Sequence, residues 1–141
     1  MVYILLAMVF YAIGIMFGVA ASRNANTNLA AAITNLISAV VPIAAVIPLL
    51  GKKLFVNSKS GIVFAMLGGV SIAFFVMAIN KAYTVNKVGI VAPIVFGGAI
   101  FLSTIASYFI FKEKVSSLQF FGLILLAAGF GVIISARSIG K

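Results

Sequence analysis

The chain has no cysteine, no histidine and no tryptophan, and of its 141 residues a single one, Glu113, is acidic. Without cysteine there are no disulfides, no thiolate metal ligands and no thiol chemistry. Without histidine, and with one carboxylate, acid–base catalysis has no pair of groups to work with and a metal ion has no set of ligands. These absences argue against an enzyme and imply neither metal nor cofactor. Charge is scarce altogether, since 8% of residues are charged and 65% are hydrophobic. A soluble domain of about 150 residues buries only about 70% of the surface of its unfolded chain, so a composition this apolar requires lipid as its solvent. The net charge of +9 would suggest nucleic acid in a soluble chain. Here the Lys and Arg residues stand singly or in pairs between apolar runs rather than on one basic face, so nucleic acid is not an expected partner.

What the sequence does have is five long apolar runs, at about residues 2–22, 29–50, 61–82, 88–111 and 117–136. At about 1.5 Å of rise per residue, some twenty residues of helix cross a hydrocarbon core of about 30 Å. The expected fold is an all-α membrane protein with five transmembrane helices forming one domain over residues 1–141, with no stretch left for a soluble domain. Met1 to Ser22 lacks the basic segment that precedes the apolar core of a secretory signal, so it reads as a first span.

Each span carries its own chemistry. In the first, Gly14 and Gly18 form a G-x-x-x-G pair suited to close helix approach. Asn26, Thr27 and Asn28 are all competent to cap the second span. That span holds Asn35, Pro42 and Pro48; each proline leaves a carbonyl four residues earlier without its donor, so Asn35 either bonds within a bent helix or lines a cavity. The third span ends near Asn80 and Lys81. Two roles are open for Lys81: snorkelling to the headgroups, or facing inward to hold a polar or anionic substrate group. A short link from Tyr83 to Lys87 follows, in which Asn86 can cap the fourth span. There Pro93 marks a bend, Gly97 and Gly98 a packing face, and Ser103, Thr104 and Ser107 a polar stripe whose hydroxyls either face a cavity or bond back to their own helix. The fifth span, with Gly122, Gly129 and Gly131 among Leu, Ile, Val and Phe, is suited to helix contact. Between the last two spans lies the turn Lys112-Glu113-Lys114, and Ser116 with Gln119 has the spacing of a capping box. Glu113 is assigned to this turn's structure, near the positive end of the next helix.

This order of features resembles the five-helix repeat of the drug/metabolite transporter superfamily, the EamA-like unit. The resemblance rests on Asn80-Lys81-Ala82-Tyr83, Lys87-Val88, Ala92-Pro93-Ile94, Phe111 to Ser116, Gln119 to Gly122 and the Gly-rich end of the last span. In that family a small residue plus Leu near the end of helix three precedes a Pro in helix four, which closes with a Gly-Glu-basic turn before Gln or Lys and Gly open helix five. Two positions depart from this pattern: Lys112 stands where the family usually has Gly, and Tyr83 where it usually has Leu. The length resembles the half-size prokaryotic members with one repeat, which implies a cell-membrane location. No span contains the acid on which the four-helix small multidrug resistance proteins depend.

The resemblance implies a small-molecule transporter that works by alternating access, and because one repeat is half of such a pathway it implies an inverted homodimer. The substrate-cavity candidates are Asn35, Asn80, Lys81, Pro93, Ser103 and Ser107; the turn residues are Glu113, Ser116 and Gln119; the helix-packing residues are Gly14, Gly18, Gly97, Gly98 and Gly129. Without an intramembrane acid, a neutral or anionic metabolite is favoured over lipophilic cations. A non-transporting membrane subunit and a flippase for a lipid-linked precursor stand as alternatives. The basic residues divide evenly, with Lys52, Lys53, Lys59, Lys112 and Lys114 on one side and Arg23, Lys81, Lys87, Arg137 and Lys141 on the other. Because Lys/Arg bias sets orientation, a chain without bias is expected to insert both ways.

Overall fold

The computed structural model describes residues 2–49 and 59–139. The expected end of the second span at Leu50, together with Lys52, Lys53 and Lys141, lies outside the described residues. Five helices are present: α1 (Val2–Asn24), α2 (Thr27–Val46), α3 (Lys59–Val85), α4 (Val88–Ile110) and α5 (Ser117–Ile139), with a 3₁₀ turn at Ile47–Leu49. All five contain stretches long and apolar enough to cross a membrane. Their large side chains face outward: Phe17, Phe64 and Phe109 are each more than 70% exposed. In water such a surface would be untenable, whereas in lipid it is the solvated face, so the protein is an integral membrane protein.

Local chemistry explains where the helices begin and end. Helix α1 continues past Ser22 because nothing breaks it, and the Asn24 amide donates to the Ala20 carbonyl at 2.8 Å. Among the three candidate caps, Asn26 is the one used: its side-chain oxygen accepts from the N–H groups of Asn28 at 2.9 Å and Leu29 at 3.3 Å. Pro42 lies inside α2, while Pro48 falls in the 3₁₀ turn after the helix has closed at Val46. Expected as one bent helix to Leu50, this run is therefore a shorter helix and a tightened turn; the missing proline N–H and ring bulk favour ending the α-helix there.

Helix α3 departs most from the expected bounds. It runs through Tyr83 to Val85, so the link to α4 shrinks to Asn86 and Lys87. Nothing between Asn80 and Val85 is Gly or Pro, and Tyr83 gains burial by remaining helical. Lys87, rather than Asn86, occupies the N-cap position of α4 and forms no side-chain cap bond.

The helices group into two compact units, Met1–Val85 and Asn86–Lys141. In the first, α1, α2 and α3 pack mutually. Its buried residues are Val19 and Ser22 of α1, Ala30 and Ala31 of α2, and Ile79, Asn80 and Tyr83 of α3. Alanines at adjacent positions let the α2 backbone come close, which in lipid replaces the hydrophobic effect as a source of helix association. In the second unit α4 packs on α5. Gly97 of α4 is buried, and a Cβ there would fall on the ring of Phe130 from α5. The absent side chain at Gly97 is therefore what admits the aromatic ring.

Candidate functional site

Polar groups inside an apolar membrane helix are costly and mark where chemistry is done. In the first unit they concentrate on α3. Asn80 is 3% exposed and Tyr83 2% exposed. Three residues apart, they lie on one helix face. The Tyr83 hydroxyl is buried and has no hydrogen-bond partner among the described residues. A buried hydroxyl left unpaired costs about 1–3 kcal/mol, which sets this oxygen apart from the other polar groups of the described residues. Lys81, between them in sequence, turns away and is exposed. From α1, Ser22 is 2% exposed but is satisfied, donating to the Gly18 carbonyl at 2.6 Å. On α2 the Asn35 amide donates to the Ala31 carbonyl at 2.9 Å, and Ser38 donates to the Asn35 carbonyl at 3.0 Å. The Asn35 amide is thereby held against its own helix, and its side-chain oxygen keeps acceptor capacity.

In the second unit Pro93 lies inside continuous α4. Its three hydroxyls all bond back along the helix: Ser103 to the Ile100 carbonyl at 3.0 Å, Thr104 to the same carbonyl at 2.8 Å, and Ser107 to the Thr104 carbonyl at 3.0 Å. Three donors are thus consumed locally, and the stripe presents acceptor lone pairs. Packing glycines differ among themselves. Gly97 meets Phe130, whereas a Cβ at Gly14, Gly18, Gly98 or Gly129 would meet nothing within 4 Å.

The α4–α5 turn is tightly determined. Phe111 caps α4 with its N–H on the Ser107 carbonyl at 2.9 Å, and the N–H of Glu113 reaches the same carbonyl at 3.4 Å. Between them Lys112 is left-handed, with φ 55°. That conformation is the one glycine adopts at no steric cost, which explains physically why a turn of this kind favours Gly at this position. Beyond it, Ser116 and Gln119 exchange both bonds of a capping box: the Ser116 N–H donates to Gln119 Oε1 at 2.8 Å, and the Gln119 N–H to Ser116 Oγ at 3.2 Å. The carboxylate of Glu113 is exposed. It precedes the cap by three residues, so α5 draws its first acceptors from Ser116 and Gln119.

A match to the EamA-like transporter family covers residues 1–135. The chain belongs to the EamA-like transporter family. Neither the curated proteins nor the solved structures yield a match to it. As an EamA-like protein it is a membrane transporter of the drug/metabolite superfamily, and its family is one of transporters rather than enzymes.

Placing an EamA-like transporter's polar residues on their helices separates the candidates. Asn35, Asn80 and Lys81 lie in the first unit and Pro93, Ser103 and Ser107 in the second. The sequence places Tyr83 in a link and so outside the cavity candidates, whereas in the structure it is a buried residue of α3. Two signals pointed to it: it follows Asn80 by one helical turn, and it brings a hydroxyl to a position where the family usually has Leu. Among the described residues no group of three or more His, Cys, Asp or Glu side chains can hold a metal ion.

Proposed function

We propose that the chain carries a neutral or anionic small molecule across the membrane by alternating access, as an inverted pair of copies. The observation that carries this reading is the family match across residues 1–135, since one five-helix repeat contributes half of an inverted-repeat pathway. The even division of Lys and Arg between the two sides supports insertion in both orientations, and a pair inserted oppositely generates the inverted symmetry from one sequence. The buried Tyr83 hydroxyl, without a hydrogen-bond partner among the described residues and on one face with Asn80, supports a place where solute meets polar groups. Asn35, Lys81, Ser103 and Ser107 are proposed to contribute acceptors and charge to the pathway, and the absence of an intramembrane carboxylate favours solutes without positive charge.

The test has two arms. Reporter fusions at the C-terminus should give signal from both compartments, and two lysines added beside Lys52 should drive the population into one orientation and lower transport when that variant is expressed alone. A panel of neutral and anionic metabolites should yield at least one that exchanges in liposomes, with Lys81→Ala and Asn35→Ala reducing exchange more than Lys52→Ala. Signal from one compartment only, unmoved by the added charge, excludes the antiparallel pair. Equal effects from all three substitutions remove the cavity assignment.

A further inference from the structure

The α4–α5 unit contains a groove of about 570 Å³ whose walls are almost entirely apolar. Phe101, Ile105, Tyr108 and Phe109 of α4 face Leu123 and Ala127 of α5 across it. The residues from Phe101 to Tyr108 extend about 10 Å along the helix axis, roughly the reach of the upper part of a lipid acyl chain. Tyr108 and Phe109 set one wall at an edge-to-face angle, with ring centroids 5.3 Å apart and planes at 83°. The hydroxyl of Thr104, which also lines the groove, is turned onto the Ile100 carbonyl, so it does not make the interior polar. The groove is also lined by Val115, which belongs to the link holding Lys112, Glu113 and Lys114. All three charged side chains are exposed, and among the described residues they form no ion pair.

We propose that this groove is a binding site for an anionic phospholipid, with one acyl chain lying between α4 and α5 and the headgroup phosphate on Lys112 and Lys114. An apolar slot running into a paired-lysine turn matches the two ends of such a lipid, and neither end alone selects it: the slot accepts any acyl chain, the lysines any anion. Lys112, with its left-handed backbone, and Lys114 both lie in the link between α4 and α5, next in sequence to the lining residue Val115. Glu113 opposes them, leaving the turn with one net positive charge. The site is independent of which solute the protein carries.

The experiment compares phosphatidylglycerol with phosphatidylcholine of the same acyl chains, added to the purified full-length chain in neutral detergent and counted as bound lipid by native mass spectrometry. One net basic charge beside a headgroup predicts a preference for phosphatidylglycerol of roughly five-fold, the equivalent of about 1 kcal/mol. Lys112→Gln with Lys114→Gln should abolish the preference, and Lys114→Gln alone should reduce it. Ala127→Phe fills the groove and should lower binding of both lipids while leaving the helix content unchanged. Because the chain has no cysteine, Ala127→Cys gives one labelling position: phosphatidylglycerol should slow its reaction with a thiol reagent. Equal binding of the two lipids, or a preference untouched by both lysine substitutions, overturns the proposal. Ready disulfide formation between Ala127→Cys chains that excess phosphatidylglycerol does not suppress would overturn it also, by assigning the groove to a second copy.

Discussion

Lys112 offers the sharpest test of the turn between α4 and α5. Its φ of 55° puts its Cβ against the carbonyl oxygen that follows, and the conformation is held in place by the bonds from the Phe111 and Glu113 N–H groups to Ser107. A left-handed residue with a Cβ costs about 1–2 kcal/mol. Glycine removes that cost but gives back about 0.5–1 kcal/mol through its greater freedom in the unfolded chain. Lys112→Gly should therefore stabilise the protein by about 0.5–1 kcal/mol. Charge is separated from backbone by Lys112→Ala, which loses the ammonium yet keeps the strained conformation, and by Lys112→Val, whose branched Cβ makes the left-handed region worse still. The expected order of stability is Gly above Lys, Lys near Ala, and Val lowest. Midpoints followed by helical circular dichroism in neutral detergent should spread by about 4 °C per kcal/mol. A Gly variant no more stable than the Ala variant would falsify the assignment of strain to this residue. The same Gly variant should lose part of the preference for phosphatidylglycerol, so that stability rises while anionic-lipid binding falls, a divergence that loss of folding cannot produce.

Gly97→Ala should cost about 1–3 kcal/mol, since its new methyl occupies the space of the Phe130 ring. Adding Phe130→Leu should recover at least half of that loss, and a strictly additive double variant in thermal melts would count against the contact. Ser116→Ala removes one partner of the capping box and should lower stability by about 1 kcal/mol, with Gln119→Ala on top adding less than it does alone. Glu113→Gln should change stability by less than about 1 kcal/mol and spare transport; loss of transport with unchanged melting would instead give the carboxylate a functional role. Tyr83→Phe removes a hydroxyl that has no partner among the described residues, so the free protein should be unharmed or slightly stabilised. If that hydroxyl meets solute, exchange falls while melting does not.

The number and type of the helices were written in the sequence, because in lipid each span must satisfy its backbone within itself, and about twenty apolar residues without a charge leave no other structure open. Local bonds were legible for the same reason: Ser116 and Gln119, or Asn26 and the N–H groups behind it, involve residues two or three apart, whose geometry any helix start imposes. Tyr83 was not legible. Whether a tyrosine five residues before the next span is a link or a buried helical residue depends on what packs over it, and in an apolar chain with no Gly or Pro nearby the periodicity is silent on that point. Gly97 shows the same limit from the other side. Five glycines were candidates for packing, and all carry the same signal in the sequence. Only the approach of Phe130, thirty-three residues further along on another helix, distinguishes Gly97 from Gly14, Gly18, Gly98 and Gly129. The sequence alone determines which segments enter the membrane, because that is a property of single helices, and it shows an end cap where the bonds join near neighbours, as at Asn26 and at Ser116 with Gln119. The tertiary structure decides which polar or small residue has a neighbour, because that depends on contacts between segments whose outer faces, in lipid, are all equally apolar.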